Sequence, residues 1–243
     1  MKFYQSTVMT NLDKFPGAYS NGKMRLPRDN NDMLQLWRVC EYFQFGSFLE
    51  IGFSAGQTFG LFLDSTVSDN TKYVAVDCDF KRNQAIFDDI FCDHPKRKNI
   101  QFINVDSREL ALTEQFDFIH IDGDHSYEGA LNDLKKCLPL MHERTILSMD
   151  DSLDYGVNRV IEENLLGQNN FIPFLAGNKQ ILFCHTSNNL TNFLNRDLRT
   201  GLDDFVVFDN WNYHDFFVVK MHVPNFIEDN QSIFNLALQT YNI

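Results

Sequence analysis

Residues 116–141, FDFIHIDGDHSYEGALNDLKKCLPLM, combine a short apolar run, a cluster of ionisable residues and a helical pattern. The apolar run is typical of a strand covered on both faces, and in open α/β sheets ligands bind where such strands end. Ser126 is a suitable N-cap, and from Tyr127 onward apolar residues recur at helical spacing. Between the strand and the helix lie Asp122, Gly123, Asp124 and His125. The stretch therefore predicts a strand, an acidic loop and an amphipathic helix.

Similar units precede and follow this stretch along the chain. Further predicted strands cover residues 47–51, 73–76, 100–105 and 145–149, and further predicted helices cover residues 32–45, 81–91 and 157–165. Two closely spaced apolar runs, at 171–175 and 180–184, indicate an antiparallel hairpin. Alternating strands and helices imply a parallel sheet with right-handed crossovers. The predicted fold class is α/β: a Rossmann-like, doubly wound, mostly parallel seven-stranded sheet with an antiparallel last strand.

The predicted sheet defines a central domain at residues 46–185, with a less regular region on each side. Residues 1–45 are predicted to form an N-terminal arm with one helix, because no sustained period appears before that helix. Residues 186–243 are predicted to form a C-terminal extension. The extension is expected to serve as a substrate lid or an oligomer contact. Its aromatic cluster near Trp211 could line an acceptor pocket, although core packing or a contact between copies in a homo-oligomer is the favoured interpretation.

The composition excludes several classes of protein. With 44% hydrophobic and 14% aromatic residues among 243, the chain is expected to fold. A formal net charge of -12 leaves no basic surplus to displace counterions, so no nucleic-acid partner is expected. The five cysteines lack C-x-x-C spacing and predict reduced thiols. Because no apolar run resembles a signal peptide or a membrane span, we expect a cytoplasmic protein without a membrane partner.

The first strand of the central domain opens into EIGFSAG, residues 50–56. Gly52 and Gly56 permit a tight turn and a close approach of backbone amides to a ligand. Ser54 replaces the central glycine of the G-x-G-x-x-G pattern, so a tight turn without a ligand remains an alternative. Glu50 favours a binding site, because an acid near the end of an apolar strand is costly unless it meets a cation or hydrogen-bond donors.

Acids also end the second and third strands. Asp77 lies 25 residues after Gly52 (77 minus 52), close to the roughly 20-residue offset at which an acid binds ribose hydroxyls. Asp106 and Ser107 follow the third strand, where they could bind an adenine edge or cap a helix. The spacing supports these two interpretations equally.

Asp150 and Asp151 form a pair of adjacent carboxylates directly after the fifth strand. Neighbouring negative charges repel, which raises the pKa of one carboxyl group unless a cation lies between them. A bound metal ion would remove this repulsion.

These motifs together resemble a class I S-adenosylmethionine-dependent methyltransferase. The resemblance is carried by EIGFSAG, Asp77, the Asp106–Ser107 pair, FDFIHIDGDHSY and the acids of SMDDS, and it covers about residues 47–185. Within that superfamily, DGDHSYEG and the later acid pair resemble the macrocin and sugar O-methyltransferase branch. Their layout is also similar to that of catechol and caffeoyl-CoA O-methyltransferases, which use a divalent cation.

The resemblance implies a role for each motif in cofactor binding. Glu50, Gly52 and Gly56 would surround the methionine moiety of the cofactor, Asp77 would hold the ribose, and Asp106 with Ser107 would meet the adenine. The full implied set is Glu50, Gly52, Phe53, Ser54, Gly56, Thr58, Asp77, Cys78, Asp106, Ser107 and Asp122.

The resemblance also implies a metal site and a catalytic base. Asp122, Asp150 and Asp151 fall where the family's metal ligands lie, and carboxylate oxygens suit Mg²⁺. His125 falls where the catechol-type enzymes carry a catalytic lysine, so either His125 or Asp122 would be the base. A histidine that only caps the helix or is solvated is an equal alternative, and Asp124 is expected to order the loop.

The leading hypothesis is a metal-assisted O-methyltransferase that acts on a hydroxyl of a small molecule or sugar. An alternative is a protein that keeps the cofactor fold as a binding or assembly module without turnover. An NAD-dependent oxidoreductase is disfavoured by the missing central glycine, the acid pair after strand five and the terminal hairpin. The acceptor pocket is expected to involve residues 1–45 and 186–243.

Overall fold

The computed structural model describes the central part of the chain and short pieces on either side. The described residues are 19–20, 23–24, 36, 39–40, 43–54, 56–165, 171–176, 179–185, 206–208 and 219–221. Of the predicted helix at 32–45, only residues 36, 39–40 and 43–45 are described, and most of the N-terminal arm and the C-terminal extension lies outside the described residues.

The described chain begins with β1 (Tyr19–Ser20) and β2 (Lys23–Met24), a short antiparallel pair. The central elements are β3 (Ser47–Ile51), α1 (Gln57–Ser65), β4 (Lys72–Asp77), α2 (Phe80–Phe91), β5 (Ile100–Asn104), β6 (Phe118–Ile121), α3 (Tyr127–Cys137), β7 (Ile146–Met149), α4 (Tyr155–Asn164), β8 (Phe171–Ala176) and β9 (Ile181–His185). A second short antiparallel pair is formed by β10 (Val206–Phe208) and β11 (Val219–Met221).

The central strands form one mixed sheet in the order β5-β4-β3-β6-β7-β9-β8. Strands β3 to β7 pair in parallel, and β9 runs antiparallel to both β7 and β8. The Rossmann-like arrangement and the antiparallel hairpin expected from the sequence are therefore confirmed. The chain adds β4 and β5 on one side of β3 and then β6 and β7 on the other, so the strand order reverses between β3 and β6. In sheets of this type a ligand crevice lies at the carboxyl ends of the strands where the order reverses.

One face of the sheet is aliphatic and packs on α3 and α4. Alternate residues of the strands point to this face and are buried together with the inward residues of the two helices. From the strands these are Leu49, Ile51, Val74, Val76, Ile119, Ile121, Leu147 and Met149; from the helices they include Ala130, Leu134, Val157, Val160 and Ile161. Burial of each large aliphatic side chain contributes about 1.5–3 kcal/mol.

The opposite face is aromatic toward the amino ends of the strands. Phe48 of β3 stacks on Phe62 of α1, with ring centroids 5.1 Å apart, and on Tyr73 of β4 at 5.4 Å. Phe118 of β6 lies 5.2 Å from Phe62, and Phe87 of α2 stacks on Phe102 of β5 at 5.1 Å. Thus α1 and α2 cover this face, and the sheet is doubly wound.

Local sequence explains how the helices beside the crevice begin. Gly56 precedes α1 with φ 73, in the left-handed region that favours glycine. At α3 the Ser126 hydroxyl accepts a hydrogen bond from the Gly129 amide at 3.1 Å, which confirms it as the N-cap. None of the described helices combines the length and the apolar character that a bilayer crossing requires. Cys40, Cys137 and Cys184 are buried, and Cys78 and Cys92 are exposed.

Candidate functional site

A cleft of about 820 Å³ lies at the carboxyl ends of β3, β4, β5 and β6. Its volume is within the ~300–1,000 Å³ typical of small-ligand sites. The residues predicted to bind a cofactor that line it are Gly52, Ser54, Asp77, Cys78, Asp106, Ser107 and Asp122. The structure therefore brings together, in one cavity, residues from four successive strand ends.

The turn after β3 brings two strand ends into close contact. Gly52 has φ 94, and a Cβ atom built on it would lie 1.9 Å from the backbone oxygen of Asp122. The Gly52 amide donates to Val76 O at 2.9 Å, and the Asp122 amide donates to Ile51 O at 2.8 Å. Any side chain at position 52 would push the β6 loop away from the cleft, so glycine is required there.

Asp77 connects the loops that follow β3 and β4. One carboxylate oxygen accepts a hydrogen bond from the Ser54 amide at 2.9 Å, and the other accepts from the Asp79 amide at 2.9 Å. Each oxygen retains a second lone pair that can accept from a ligand. The carboxylate is thus held in a fixed orientation at the cleft.

Asp106 caps a short helical turn, which is one of the two roles predicted for it from the sequence. It precedes a 3₁₀ turn (Ser107–Glu109) and accepts hydrogen bonds from the Arg108 amide at 2.9 Å and Arg108 Nε at 2.8 Å. The hydrogen bonds from Arg108 lower the pKa of Asp106 to about 2. Ser107 Oγ accepts a hydrogen bond from Asn132 Nδ2 at 3.2 Å. Both predicted residues nevertheless line the cleft.

Four residues of the predicted cofactor-binding set are not among those that line the cleft: Glu50, Phe53, Gly56 and Thr58. The ring of Phe53 is buried against Phe59 and Phe87, with centroids 5.7 Å away in each case. The Phe53 ring therefore packs between α1 and α2. Glu50 is 1% exposed and lies beneath the cleft.

The predicted metal ligands divide between two overlapping clusters. Ligand atoms of His120, Asp122 and Asp150 lie within 4.8 Å of one another, and so do those of Asp122, His125 and Asp151. The backbone explains the division. Asp150 continues the pairing of β7, since its amide donates to Ile121 O at 2.9 Å. Asp151 instead adopts φ 46, a left-handed conformation that turns it toward His125.

His125 is surrounded by carboxylates. Its Nδ1 lies 2.9 Å from Asp154 Oδ2, and its Nε2 lies 3.2 Å from Asp151 Oδ2 and 3.6 Å from Asp122 Oδ1. These acids, Asp122 first, raise the pKa of His125 to about 9. The imidazole is therefore charged at neutral pH and partly neutralises the cluster. Lys179 contributes a second cation, with Nζ 2.8 Å from Asp151 Oδ1.

Asp122 is the residue shared by both clusters. Burial raises its pKa, and the negative charges of Asp150 and Asp151 raise it further, against the opposing effect of His125. Asp124 does not join the clusters; its carboxylate accepts a hydrogen bond from the Ser126 amide at 2.9 Å. That contact fits the loop-ordering role expected of Asp124.

His120 was not predicted from the sequence. It lies in the middle of β6 and is fully buried at 0% exposure, on the same face of the sheet as Glu50 and Ser148. The available signal was its position: residues 120 and 122 alternate onto one face of a strand, so a histidine two places before a candidate ligand points the same way.

Asp133 and Asn132 were also missed, and both line the cleft. Asp133 is 2% exposed, and burial raises its pKa. An acid on the inward face of α3, between Ala130 and Cys137, breaks the apolar period and was the signal that could have identified it.

Comparison with known proteins gives two results. Residues 49–152 match a family model described as a methyltransferase domain. No curated protein is significantly similar to the sequence.

Several solved structures share the fold. The SAH-bound methyltransferase PaMTH1 of Podospora anserina superposes with a TM-score of 0.58 at 13% identity, covering 74% of this chain and 87% of that one. The O-methyltransferase of Bacillus cereus in complex with SAH has a TM-score of 0.53 at 16% identity, covering 75% of this chain and 87% of that one.

Proposed function

We propose that the chain is a class I, S-adenosylmethionine-dependent methyltransferase and that it methylates a hydroxyl group of a small molecule or sugar with the help of a divalent cation. One observation supports this most strongly. The turn at Gly52, the acid Asp77 and the cap at Asp106 line the same cleft as Asp122, which belongs to both acidic clusters. A donor site and a site for an acceptor hydroxyl are then adjacent.

Donor binding is proposed to use the cleft side of the three strand ends. Asp77 would accept hydrogen bonds from the ribose hydroxyls, and Gly52 would let the methionine moiety approach the backbone. Ser107, with Asn132 and Asp133 beside it, would meet the adenine, since these side chains offer both donors and acceptors.

The acidic residues fit a divalent cation. Asp122 has a raised pKa because it is buried near Asp150 and Asp151, and a cation would relieve that cost. Carboxylate oxygens are the preferred ligands of Mg²⁺, the cation predicted from the sequence. A cation held by Asp122 with Asp150 or Asp151 would lower the pKa of an acceptor hydroxyl and orient it.

Removal of the acceptor proton is assigned to the Asp122–His125 pair. With a pKa of about 9, His125 already carries a proton at neutral pH, so the Asp122 carboxylate is the basic member of the pair. His125 Nε2, 3.6 Å away, stabilises that carboxylate as an anion until it receives the proton. A positioned base of this kind typically contributes about 10²–10⁴-fold.

Calorimetric titration with S-adenosylmethionine tests the donor site. Asp77→Ala should weaken binding by about 10–100-fold, because hydrogen bonds to a charged group contribute ~1.5–3 kcal/mol. Asp88→Ala, on the exposed surface of α2, is the matched control and should bind as the wild type does. Equal affinities in all three proteins would refute the assignment of Asp77.

A screen of hydroxylated acceptors with labelled S-adenosylmethionine tests the reaction itself. Methyl transfer should stop with EDTA and return when a divalent cation is added. Asp122→Asn should abolish turnover, and His125→Ala should lower it. Turnover that resists EDTA would remove the cation from the proposal while leaving the cofactor assignment in place.

A further inference from the structure

His120 has one ring nitrogen engaged and one without a partner. Its Nδ1 lies 3.0 Å from Ser148 Oγ, and the Ser148 hydroxyl donates to Gln180 Oε1 at 3.5 Å. With the Ser148 hydroxyl directed at Gln180, its oxygen accepts from Nδ1–H of His120. In that tautomer Nε2 carries the lone pair.

Among the described residues, Nε2 has no hydrogen-bond partner, although His120 is completely buried. An unpartnered buried polar atom costs about 1–3 kcal/mol, so a native structure that keeps one calls for an explanation. A ring nitrogen of His120 lies within 4.8 Å of carboxylate oxygens of Asp122 and Asp150. The geometry therefore places an imidazole ring nitrogen beside two hard oxygen ligands.

We propose that His120, Asp122 and Asp150 form a cation site with one nitrogen and two oxygen ligands, and that it favours first-row transition metal ions, for which Mn²⁺ is the paramagnetic probe, over Mg²⁺. Imidazole nitrogen suits first-row transition metals, whereas Mg²⁺ prefers oxygen alone. This inference rests on the proposed function, since Asp122 serves the same reaction, and it changes the expected metal.

The neighbours of His120 match those of a metal-binding histidine. Such a histidine usually donates its other ring N–H to an acceptor that fixes the tautomer, and Ser148 with Gln180 supplies that arrangement. Glu50, the cross-strand neighbour of His120, is the alternative partner for Nε2. Glu50 Oε2 is also buried without a partner, and a protonated carboxyl could donate to Nε2 after a small movement.

Pulsed electron paramagnetic resonance of the Mn²⁺-loaded full chain distinguishes these possibilities, because it detects a directly bound ¹⁴N nucleus. The wild type should show imidazole ¹⁴N coupling. His125→Gln, which removes the histidine of the other cluster, should keep the coupling, and His120→Gln should lose it. Absence of the coupling in the wild type, or its loss in His125→Gln alone, would overturn the proposal in favour of a histidine paired with Glu50 or of the other cluster.

Metal titrations give a second test that needs no catalysis. His120→Gln places an amide where Nε2 was, so Mg²⁺ should still bind while the affinity for Mn²⁺ relative to Mg²⁺ falls by about tenfold or more. Ser148→Ala should weaken Mn²⁺ binding by about tenfold with the ¹⁴N coupling retained. An unchanged Mn²⁺ to Mg²⁺ ratio in His120→Gln would contradict the nitrogen ligand.

Calorimetry with S-adenosylmethionine separates failure of this inference from failure of the proposed function. If the cofactor binds and methyl transfer occurs without ¹⁴N coupling, the nitrogen ligand is wrong and the proposed function stands. If ¹⁴N coupling is present but the cofactor does not bind, the cation site stands and the proposed function is wrong.

Discussion

The two faces of the central sheet are built from alternate residues of the same strands, yet they differ in kind. The aliphatic face is apolar at Leu49 and Ile51 of β3 and at the corresponding positions of β6 and β7. The aromatic face begins with Phe48 and Phe118 at the amino ends and continues with Glu50, His120 and Ser148 toward the carboxyl ends. These polar residues are as deeply buried as the rings below them. Packing alone would place apolar side chains there, so the row of polar residues points to function.

Glu50, His120 and Ser148, here called the polar row, lower the stability of the fold, whereas the residues of the aliphatic face do not. In the described part of the chain, neither Glu50 Oε2 nor His120 Nε2 has a hydrogen-bond partner, which costs about 1–3 kcal/mol for each such atom. Proteins keep arrangements of this kind mainly at functional sites, where activity offsets the loss of stability. The comparison therefore separates residues that hold the sheet together from residues that serve the cleft above it.

The largest expected effect comes from breaking the aromatic part of that face. Phe118→Ala should lower the free energy of unfolding by about 3–5 kcal/mol, because it empties a space between Phe45, Phe48 and Phe62. Urea unfolding monitored by circular dichroism measures the change. Val67→Ala is the control, since Val67 is 82% exposed and should change stability little. A loss below about 1 kcal/mol would show that the rings do not support the sheet.

Much of the fold followed from the sequence because burial and the alternation of strands are local signals. The strand predicted at 47–51 is observed as Ser47–Ile51, and the one predicted at 73–76 is observed as Lys72–Asp77. The site residues at strand ends were found for the same reason: parallel strands deliver their carboxyl ends to one edge.

The rest of the site depends on contacts between residues far apart in the chain. His120 became visible only when the register placed it between Glu50 and Ser148. The division of the predicted metal trio depends on the left-handed conformation of Asp151, which Lys179 and His125 stabilise from other elements. Local sequence carries neither the register nor that turn.

A smaller effect is expected in the pH dependence of stability, to which Glu50 contributes and its apolar neighbours do not. Burial, and then the charges of Asp122, Asp77 and Asp150, raise the pKa of Glu50 well above 4.5. Above pH 4.5 the unfolded chain loses this proton while the folded chain keeps it, so the wild type should lose stability as pH rises toward the folded pKa. Glu50→Gln stays neutral and should show a weaker decline.

Urea unfolding of Glu50→Gln and wild type between pH 4.5 and 8 measures that difference. Glu109→Gln, an exposed acid, is the control and should follow the wild type at every pH. If Glu50→Gln and the wild type decline in parallel, Glu50 is ionised in the folded protein and the polar row is better solvated than its burial indicates.

The smallest expected effect concerns His125, which lies at the rim of the cleft rather than within the row. Its pKa is raised from 6.5 to about 9, chiefly by Asp122, so the folded chain binds an extra proton between those pH values. The stabilisation is complete below pH 6.5 and is lost as pH rises through about 9. Because the side chain is 38% exposed, solvent screening should limit the effect to about 1 kcal/mol or less.

His125→Gln should therefore unfold with less pH dependence than the wild type between pH 6.5 and 9.5, and added salt should reduce the difference further. The same measurement in the presence of Mn²⁺ tests whether the cluster of His120, Asp122 and Asp150 affects His125. A cation bound by His120, Asp122 and Asp150 would compete with the charged His125 for Asp122 and flatten the wild-type profile. A profile that Mn²⁺ leaves unchanged, at concentrations where the ion is bound, would mean that the two clusters do not communicate through Asp122.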